Sequence, residues 1–246
     1  MDKKLVSILA LRDRTLELLN GKMGDFFLGG GTALSLYHLK HRESFDLDFF
    51  TKDFSSKKIK DVISNIETGL DVKAKIEEAV PLEGKARILR CFVPINGRGE
   101  LDDDASSFKI DFIEDQFEYI KTDKTTTGDI PVFSMENICL RKIYATCGVV
   151  KEEDELGRPR FVGGRQAAKD LFDLYFLSNE FMRLSEFVQE YCPSNKERVV
   201  EWYHSYDRVD MKLGINEIIA MKKVDFHDIE RHFRQEVDTM IKQELS

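Results

Sequence analysis

Two aspartates in an apolar stretch are the residues of this 246-residue chain whose type and spacing point most directly to chemistry. Asp46 and Asp48 alternate with apolar residues in the segment 45–50, a pattern that predicts a β-strand with both carboxylates on one face. Carboxylates about 7 Å apart along a strand repel each other unless a cation lies between them. Oxygen ligands suit Mg²⁺, which takes further ligands from water and from the phosphates of a substrate. The pair therefore predicts a Mg²⁺ site for a phosphate-bearing substrate.

A glycine turn precedes the aspartate pair. The segment from Asp25 to Leu28 predicts a short strand that leads into three glycines, and a helical pattern runs from Thr32 to about His41. The first turn of a helix offers backbone N–H groups and a positive dipole end to an anion. Gly30, Gly31 and Thr32 are therefore predicted to hold the phosphates of a nucleotide. No Gly-Lys-Ser/Thr follows the glycines, so a P-loop is excluded.

A glycine pair, a helix and an Asp-x-Asp strand in this order resemble the DNA polymerase β-like nucleotidyltransferase superfamily. Gly-Gly-Thr-Ala-Leu at 30–34 and His-Arg-x-Ser-x-Asp-Leu-Asp-Phe-Phe at 41–50 more closely resemble the AbiEii/AbiGii toxin family. The resemblance implies an NTP donor, an RNA acceptor (tRNA in characterised relatives) and a toxin opposed by a partner antitoxin.

The resemblance also directs attention to a third carboxylate on a neighbouring strand. The segment 108–113 alternates, so that Lys109 and Asp111 share a face. The alternative for Asp111 is a surface aspartate beside Lys109. With Asp46, Asp48 and Asp111 as ligands, two Mg²⁺ ions would activate an attacking hydroxyl and steady the triphosphate.

Two later segments resemble the family's C-terminal motifs, a lysine on one helix and a basic-Asp-x-x-Asp-Leu pattern on the next. Lys142 matches the lysine, and Asp170 and Asp173 match the aspartates. The resemblance implies that Lys142 contacts the triphosphate and that Asp170 belongs to the catalytic group. Asp170 and Asp173 lie at i and i+3, on one helical face, and could orient the lysine. The alternative is an interhelical salt bridge. His38 and His41 lack a third soft ligand nearby, so we expect them at the surface or beside a ribose.

The order of elements predicts an α+β fold. Strands predominate before residue 125 and helices after it, and the resemblance implies a polymerase β-like core, a mixed sheet flanked by helices. We predict a nucleotidyltransferase core over 1–125 and a helical C-terminal domain over 126–246. Glycines, a proline and mixed charges over 148–166 predict an exposed loop.

Composition describes an ordinary globular protein with 42% hydrophobic residues and a formal net charge of −8. Its four cysteines are far apart in sequence, which argues against a zinc site or a disulfide framework and favours a reducing compartment. The N-terminus lacks the pattern of a signal peptide, and no apolar run approaches the roughly 20 residues that span a bilayer. We therefore expect a cytoplasmic protein without membrane association.

Three hypotheses for function follow. The first is Mg²⁺-dependent transfer of a nucleoside monophosphate from an NTP to an RNA hydroxyl. The second is the same transfer to a small molecule, such as an aminoglycoside, or to a protein; the acidic net charge favours it. The third is a non-catalytic descendant that only binds a nucleotide or a partner, which the presence of three carboxylates weakens.

Overall fold

The structure is a computed structural model, and it describes residues 3–79, 86–95, 107–120, 125–127, 130–148, 150–153, 159–162 and 164–244. The chain divides into two compact units, each made of two segments: Met1–Ala33 with Ser44–Ser134, and Leu34–Glu43 with Met135–Ser246. The predicted domain boundary between residues 125 and 126 stays a prediction.

Over its described residues, the first unit contains a mixed seven-stranded sheet and three helices. In chain order the strands are β1 (Phe27–Leu28), β2 (Leu47–Thr51), β3 (Lys75–Glu78), β4 (Ile88–Pro94), β5 (Ser107–Glu114), β6 (Thr125–Thr127) and β7 (Ile130–Val132). Their order in the sheet is β3-β4-β5-β2-β1-β7-β6. β2 is parallel to β5 and β1 to β7, whereas the other neighbouring pairs are antiparallel. The helices are α1 (Lys3–Leu19), α2 (Gly30–Ala33) and α3 (Ser56–Leu70).

Local sequence explains the α3 helix that covers this sheet. The Ser55 side chain caps its first turn by accepting a hydrogen bond from the N–H of Lys58. Asp71, in a left-handed conformation, ends it. Its buried stripe packs with β4 and α1 and consists of Ile59, Val62, Ile63 and Ile66.

The second unit is mainly helical. It contains a π-helical segment (Leu34–Leu39), α4 (Met135–Cys147), β8 (Val150–Glu153), β9 (Pro159–Val162), α5 (Ala168–Glu180), α6 (Leu184–Tyr191), α7 (Lys196–Ser205), α8 (Arg208–Glu217) and α9 (Phe226–Glu244). α4 packs on α5 and α7, and α9 packs on α5, α6 and α7 through a buried stripe. Both units together confirm the predicted α+β class.

The prediction of a loop over 148–166 is wrong. The backbones of β8 and β9 pair in antiparallel register from Val150 opposite Val162 to Glu153 opposite Pro159. Glycine, proline and mixed charge marked the segment as irregular, but a strand pair depends on cross-strand hydrogen bonds that local composition does not report.

Candidate active site: a carboxylate cluster beside a glycine turn

The glycine turn lies directly against strand β2. Gly30 has a φ of +63°, a conformation that residues with a Cβ rarely adopt. A Cβ at this position would overlap Oδ2 of Asp48 and lie 3.1 Å from its Cγ. The backbone N–H of Gly29 also donates to the carbonyl oxygen of Asp48, at 2.9 Å. Position 30 therefore requires glycine for two reasons, its own backbone conformation and the approach of the Asp48 carboxylate.

The helical segment that follows the turn changes character along its length. α2 spans only Gly30–Ala33 and passes into the π-helical segment, which ends at Leu39 and is followed by Lys40 with a left-handed φ of +50°. The predicted helix from Thr32 to His41 is therefore present from residue 30 to residue 39, in a wider winding over its second part. Such π segments occur often beside functional sites.

The hydroxyl of Thr32 fixes the backbone ahead of β2. Thr32 is buried, donates to the carbonyl oxygen of Asp46, and shares a 2.9 Å hydrogen bond with the Ser44 hydroxyl. The side chain of Thr32 is thus engaged with the backbone of Asp46, and the prediction that Thr32 binds phosphate stays a prediction. Its backbone N–H belongs to the first helical turn, where an anion binds.

Parallel pairing brings the second and third carboxylates side by side. Asp48 of β2 is the register neighbour of Asp111 of β5. Their sequence neighbours Phe49 and Phe112 are also paired and are fully buried on the opposite face, so both aspartates lie on the other face of the sheet. Asp46 precedes β2 by one residue, so the strand begins later than the predicted residue 45.

An ammonium group lies among these carboxylates. Nζ of Lys109 is 3.1 Å from Oδ2 of Asp111 and 3.9 Å from Oδ2 of Asp46. Burial alone would lower the pKa of Lys109, but the negative charges of Asp46, Asp111 and Asp48 outweigh burial and raise it. Lys109 is therefore a charged counter-ion within the cluster.

One carboxylate oxygen of Asp111 has no hydrogen-bond partner within the described part of the chain. The residue is 7% exposed, and no described residue donates a hydrogen bond to its Oδ1. Nε of Arg90, the register neighbour on β4, is 3.7 Å from this oxygen, too long for a hydrogen bond. A buried carboxylate oxygen in this state has capacity for a further ligand.

The carboxylate oxygens of the cluster are suitable ligands for a divalent cation, but in this structure two of the carboxylates contact the Lys109 ammonium. Mg²⁺ prefers carboxylate oxygens, and the unpartnered Oδ1 of Asp111 fits that preference. Among the residues that the structure describes, no three His, Cys, Asp or Glu side chains stand close enough to chelate one ion. The Lys109 ammonium contacts both Asp46 and Asp111. Its presence explains why these carboxylates are too far apart to chelate one ion. The predicted two-metal site stays a prediction.

The second unit contains its own buried charge cluster. Nζ of Lys142 is 2.6 Å from Oδ1 of Asp170 and 2.6 Å from Oδ2 of Asp173, and Lys142 is only 5% exposed. Nε of Arg165 lies 2.6 Å from Oδ2 of Asp170. Burial alone would lower the pKa of Lys142, but Asp173 and Asp170 raise it. The three predicted residues are thus together in one ion-pair network, and their predicted catalytic roles stay predictions.

Two residues of the His-Arg motif complete this network. Nε2 of His41 lies 2.7 Å from Oδ1 of Asp173, and Arg42 donates to both oxygens of Asp173 through Nε and Nη2. His41 is fully buried, so the expectation of a surface position for it is wrong. Its partner is 132 positions away in sequence, and no local pattern signals such a contact.

A comparison with protein-family models decides the family. Residues 17–245 match the model described as Nucleotidyl transferase AbiEii toxin, Type IV TA system. The chain belongs to the AbiEii toxin family of nucleotidyltransferases. The AbiEii match covers segments of both units and confirms the predicted family and enzyme class. As an AbiEii member, the chain is a nucleotidyltransferase toxin.

Solved structures with a similar fold include two Helicobacter pylori proteins. JHP933 superposes with a TM-score of 0.57 at 15% identity, covering 99% of this AbiEii chain and 96% of that chain. A putative nucleotidyltransferase from H. pylori gives 0.57 at 15% identity, covering 100% and 99%. MenT4, a nucleotidyltransferase toxin of Mycobacterium tuberculosis, gives 0.49 at 16% identity, covering 98% and 86%. At these identities the first two comparisons show a shared fold.

No curated protein sequence matches this AbiEii chain significantly. Of the helices in the described ranges, none has the length and apolar character required to cross a membrane.

The sequence does not by itself predict that four basic residues contact these carboxylates, namely Lys109, Arg90, Arg42 and Arg165. Lys109 and Arg90 carry charges in otherwise apolar strands, and their positions on the face of Asp111 were the available signal. Arg42 lies in the motif that resembled the family, but its contact with Asp173 required the tertiary structure.

Proposed function

We propose that this AbiEii-family chain transfers a nucleoside monophosphate from an NTP to an acceptor hydroxyl, with Mg²⁺ held by Asp46, Asp48 and Asp111. One observation carries the proposal: parallel pairing of β2 with β5 sets Asp48 beside Asp111, against the glycine turn. Membership of the family supports nucleotidyl transfer. The carboxylates support a divalent ion, because Oδ1 of Asp111 is buried and no residue in the described ranges donates a hydrogen bond to it.

Each residue has a role in this reaction. Backbone N–H groups at Gly30, Gly31 and Thr32 hold the phosphates of the NTP. Asp46, Asp48 and Asp111 would hold a divalent ion, which would lower the pKa of the acceptor hydroxyl and neutralise charge on the phosphates. Asp111 accepts the proton of that hydroxyl. The acceptor oxygen forms a bond to the α-phosphorus as the bond from that phosphorus to the bridging oxygen breaks, and pyrophosphate leaves.

The acceptor that we propose is RNA, and tRNA in particular. The family resemblance supports this choice, and membership of a toxin–antitoxin family supports a cognate antitoxin. The second candidate is a small molecule or a protein side chain, favoured by the net charge of −8, because most proteins that coat nucleic acid are basic.

A transfer assay tests the proposal. The purified chain is incubated with Mg²⁺, each α-labelled NTP in turn, and total tRNA. We expect labelled RNA with the wild type, and loss of labelling with Asp48→Asn or with EDTA. Asp53→Asn is the matched control, because Asp53 is an exposed aspartate of the same unit that pairs with Lys58. Labelling that survives Asp48→Asn would contradict the proposal.

The acceptor is decided by where the label appears. Label on RNA supports the first candidate, whereas label on an aminoglycoside or on protein in the same mixture supports the second. Stabilisation of the fold by NTP without transfer to any of these acceptors would favour the non-catalytic hypothesis.

The roles of Lys142 and Asp170 need a separate test because both residues stabilise their unit. Lys142→Arg keeps the charge between the two aspartates, whereas Lys142→Met removes it. A catalytic role predicts loss of transfer in Lys142→Met beyond the fraction that unfolds. Full specific activity in the folded fraction of Lys142→Met would leave only the structural role.

A further inference from the structure

The positive charge in the carboxylate cluster is supplied by the chain itself. Lys109 is two residues before Asp111 on β5, so strand alternation places both side chains on one face. Its ammonium contacts Oδ2 of Asp111 at 3.1 Å and Oδ2 of Asp46 at 3.9 Å. One cation therefore contacts two of the three carboxylates.

We propose that the Lys109 ammonium is a tethered counter-ion, which holds the cation position beside Asp46 and Asp111 until a divalent ion displaces it. The inference rests on the proposed function, because it takes these carboxylates to be the metal ligands. Lys109 thereby lowers the affinity of the site for a divalent ion, although Lys109 is not itself a metal ligand.

The carboxylates need a cation at all times. Asp111 is more than nine-tenths buried, and its Oδ1 has no hydrogen-bond partner among the described residues. Charged carboxylates gathered on one face would repel one another without a positive charge between them. Lys109 meets this need in the ligand-free protein, and a divalent ion meets it more fully because it carries two charges.

The Lys109 side chain is able to leave. It is 33% exposed, on a flexible stem of four methylene groups. Lys142 differs, because its side chain is 6% exposed and lies between two carboxylates at 2.6 Å. Lys109 therefore has a route to solvent that the lysine of the other cluster lacks.

Displacement of the Lys109 ammonium costs free energy, and this cost weakens the measured binding of a divalent ion. A divalent ion must replace an attractive contact between the ammonium and the carboxylates, and any residual proximity of the two cations is repulsive. With an effective dielectric constant near 20, a unit charge within about 4 Å changes a dissociation constant by more than tenfold. Removal of the Lys109 charge should therefore tighten binding of a divalent ion.

Mn²⁺ binding in the absence of nucleotide tests the inference, with free Mn²⁺ measured by electron paramagnetic resonance. We expect Lys109→Met to bind Mn²⁺ at least about tenfold more tightly than the wild type. Lys109→Arg keeps the charge and should stay within about threefold of the wild type. Lys52→Met is a matched control, since Lys52 is a half-exposed lysine of the same unit that pairs with Glu118. An unchanged or weaker affinity in Lys109→Met overturns the inference.

Asp48→Asn separates this inference from the proposed function. Loss of Mn²⁺ binding in Asp48→Asn with unchanged affinity in Lys109→Met rejects the counter-ion and leaves the metal site standing. Binding that survives Asp48→Asn, or no binding by either wild type or Lys109→Met, rejects both.

A second measurement uses the wild type and does not depend on the folding of a variant. Acetylation of lysines is followed by mass spectrometry with and without Mn²⁺. We expect modification of Lys109 to increase severalfold with Mn²⁺, because the displaced ammonium becomes accessible, while Lys52 stays constant. Equal modification of Lys109 in both conditions contradicts displacement.

Discussion

The Cα atom of Gly30 lies so close to the carboxylate of Asp48 that a Cβ at position 30 would overlap Oδ2. The positive φ of Gly30 adds a second reason for glycine at this position. The glycine turn and strand β2 therefore pack directly against each other, and the candidate metal ligand Asp48 lies at their contact.

Gly30→Ala should lose nucleotidyl transfer and destabilise the fold by about 1–3 kcal/mol, because it adds backbone strain and displaces the Asp48 carboxylate. Gly21→Ala is the matched control: Gly21 has a similar φ of +69°, and no atom lies within 4 Å of the position of its Cβ. We expect this control to lose about 1 kcal/mol and to keep its activity. Urea unfolding and the transfer assay measure both effects, and an active Gly30→Ala would contradict the argument.

Thr32→Val should weaken transfer by misplacing Asp46. The substitution keeps the shape of the side chain but removes the hydroxyl that donates to the Asp46 carbonyl oxygen and bonds to Ser44. Loss of a donor to this partly buried carbonyl should cost about 1 kcal/mol. Thr32→Ser retains the hydroxyl and should retain most activity and stability. Equal transfer rates and unfolding midpoints for the valine and serine variants would show that the hydroxyl does not position Asp46.

Asp173→Asn should destabilise the protein by about 3–5 kcal/mol, because Lys142 and Arg42 then lose a buried counter-charge. Asp228→Asn removes a carboxylate from an exposed pair with Arg231 and should change stability by at most about 1 kcal/mol. Chemical denaturation at pH 7 compares the two variants. Similar losses in both would mean that the buried network contributes no more than a surface ion pair.

Acid should destabilise the wild type more steeply than Asp173→Asn. Burial tends to raise the pKa of Asp173, but the charges of Lys142 and Arg42 and the hydrogen bonds from Arg42 and His41 hold it well below its usual value. A carboxylate with a depressed folded-state pKa contributes stability above its unfolded pKa, about 3.9, and loses it as the pH falls through the folded value. Denaturation between pH 5 and pH 2.5 measures both slopes. Parallel slopes would exclude Asp173 as a source of the acid sensitivity.

Much of the candidate site follows from local patterns in the sequence. Alternation in the segments around Asp48 and Asp111 predicted the face of each carboxylate, because a strand directs successive side chains to opposite sides regardless of its neighbours. The glycine turn was also evident, because a tight turn ahead of a helix requires residues without a Cβ. These features arise within about ten residues of chain, where the backbone alone sets the geometry.

The tertiary structure decided which of these local features come into contact. The register of β2 against β5 pairs Asp48 with Asp111 and brings Lys109 close to Asp46, and neither strand encodes that register alone. The contact of Arg42 with Asp173 joins residues 131 positions apart. Ion pairs of this kind form only when packing of the whole unit excludes water, so that the buried charges have one another as partners. The periodicity of the sequence determines the direction in which a side chain points, whereas the tertiary structure determines which residues that side chain contacts.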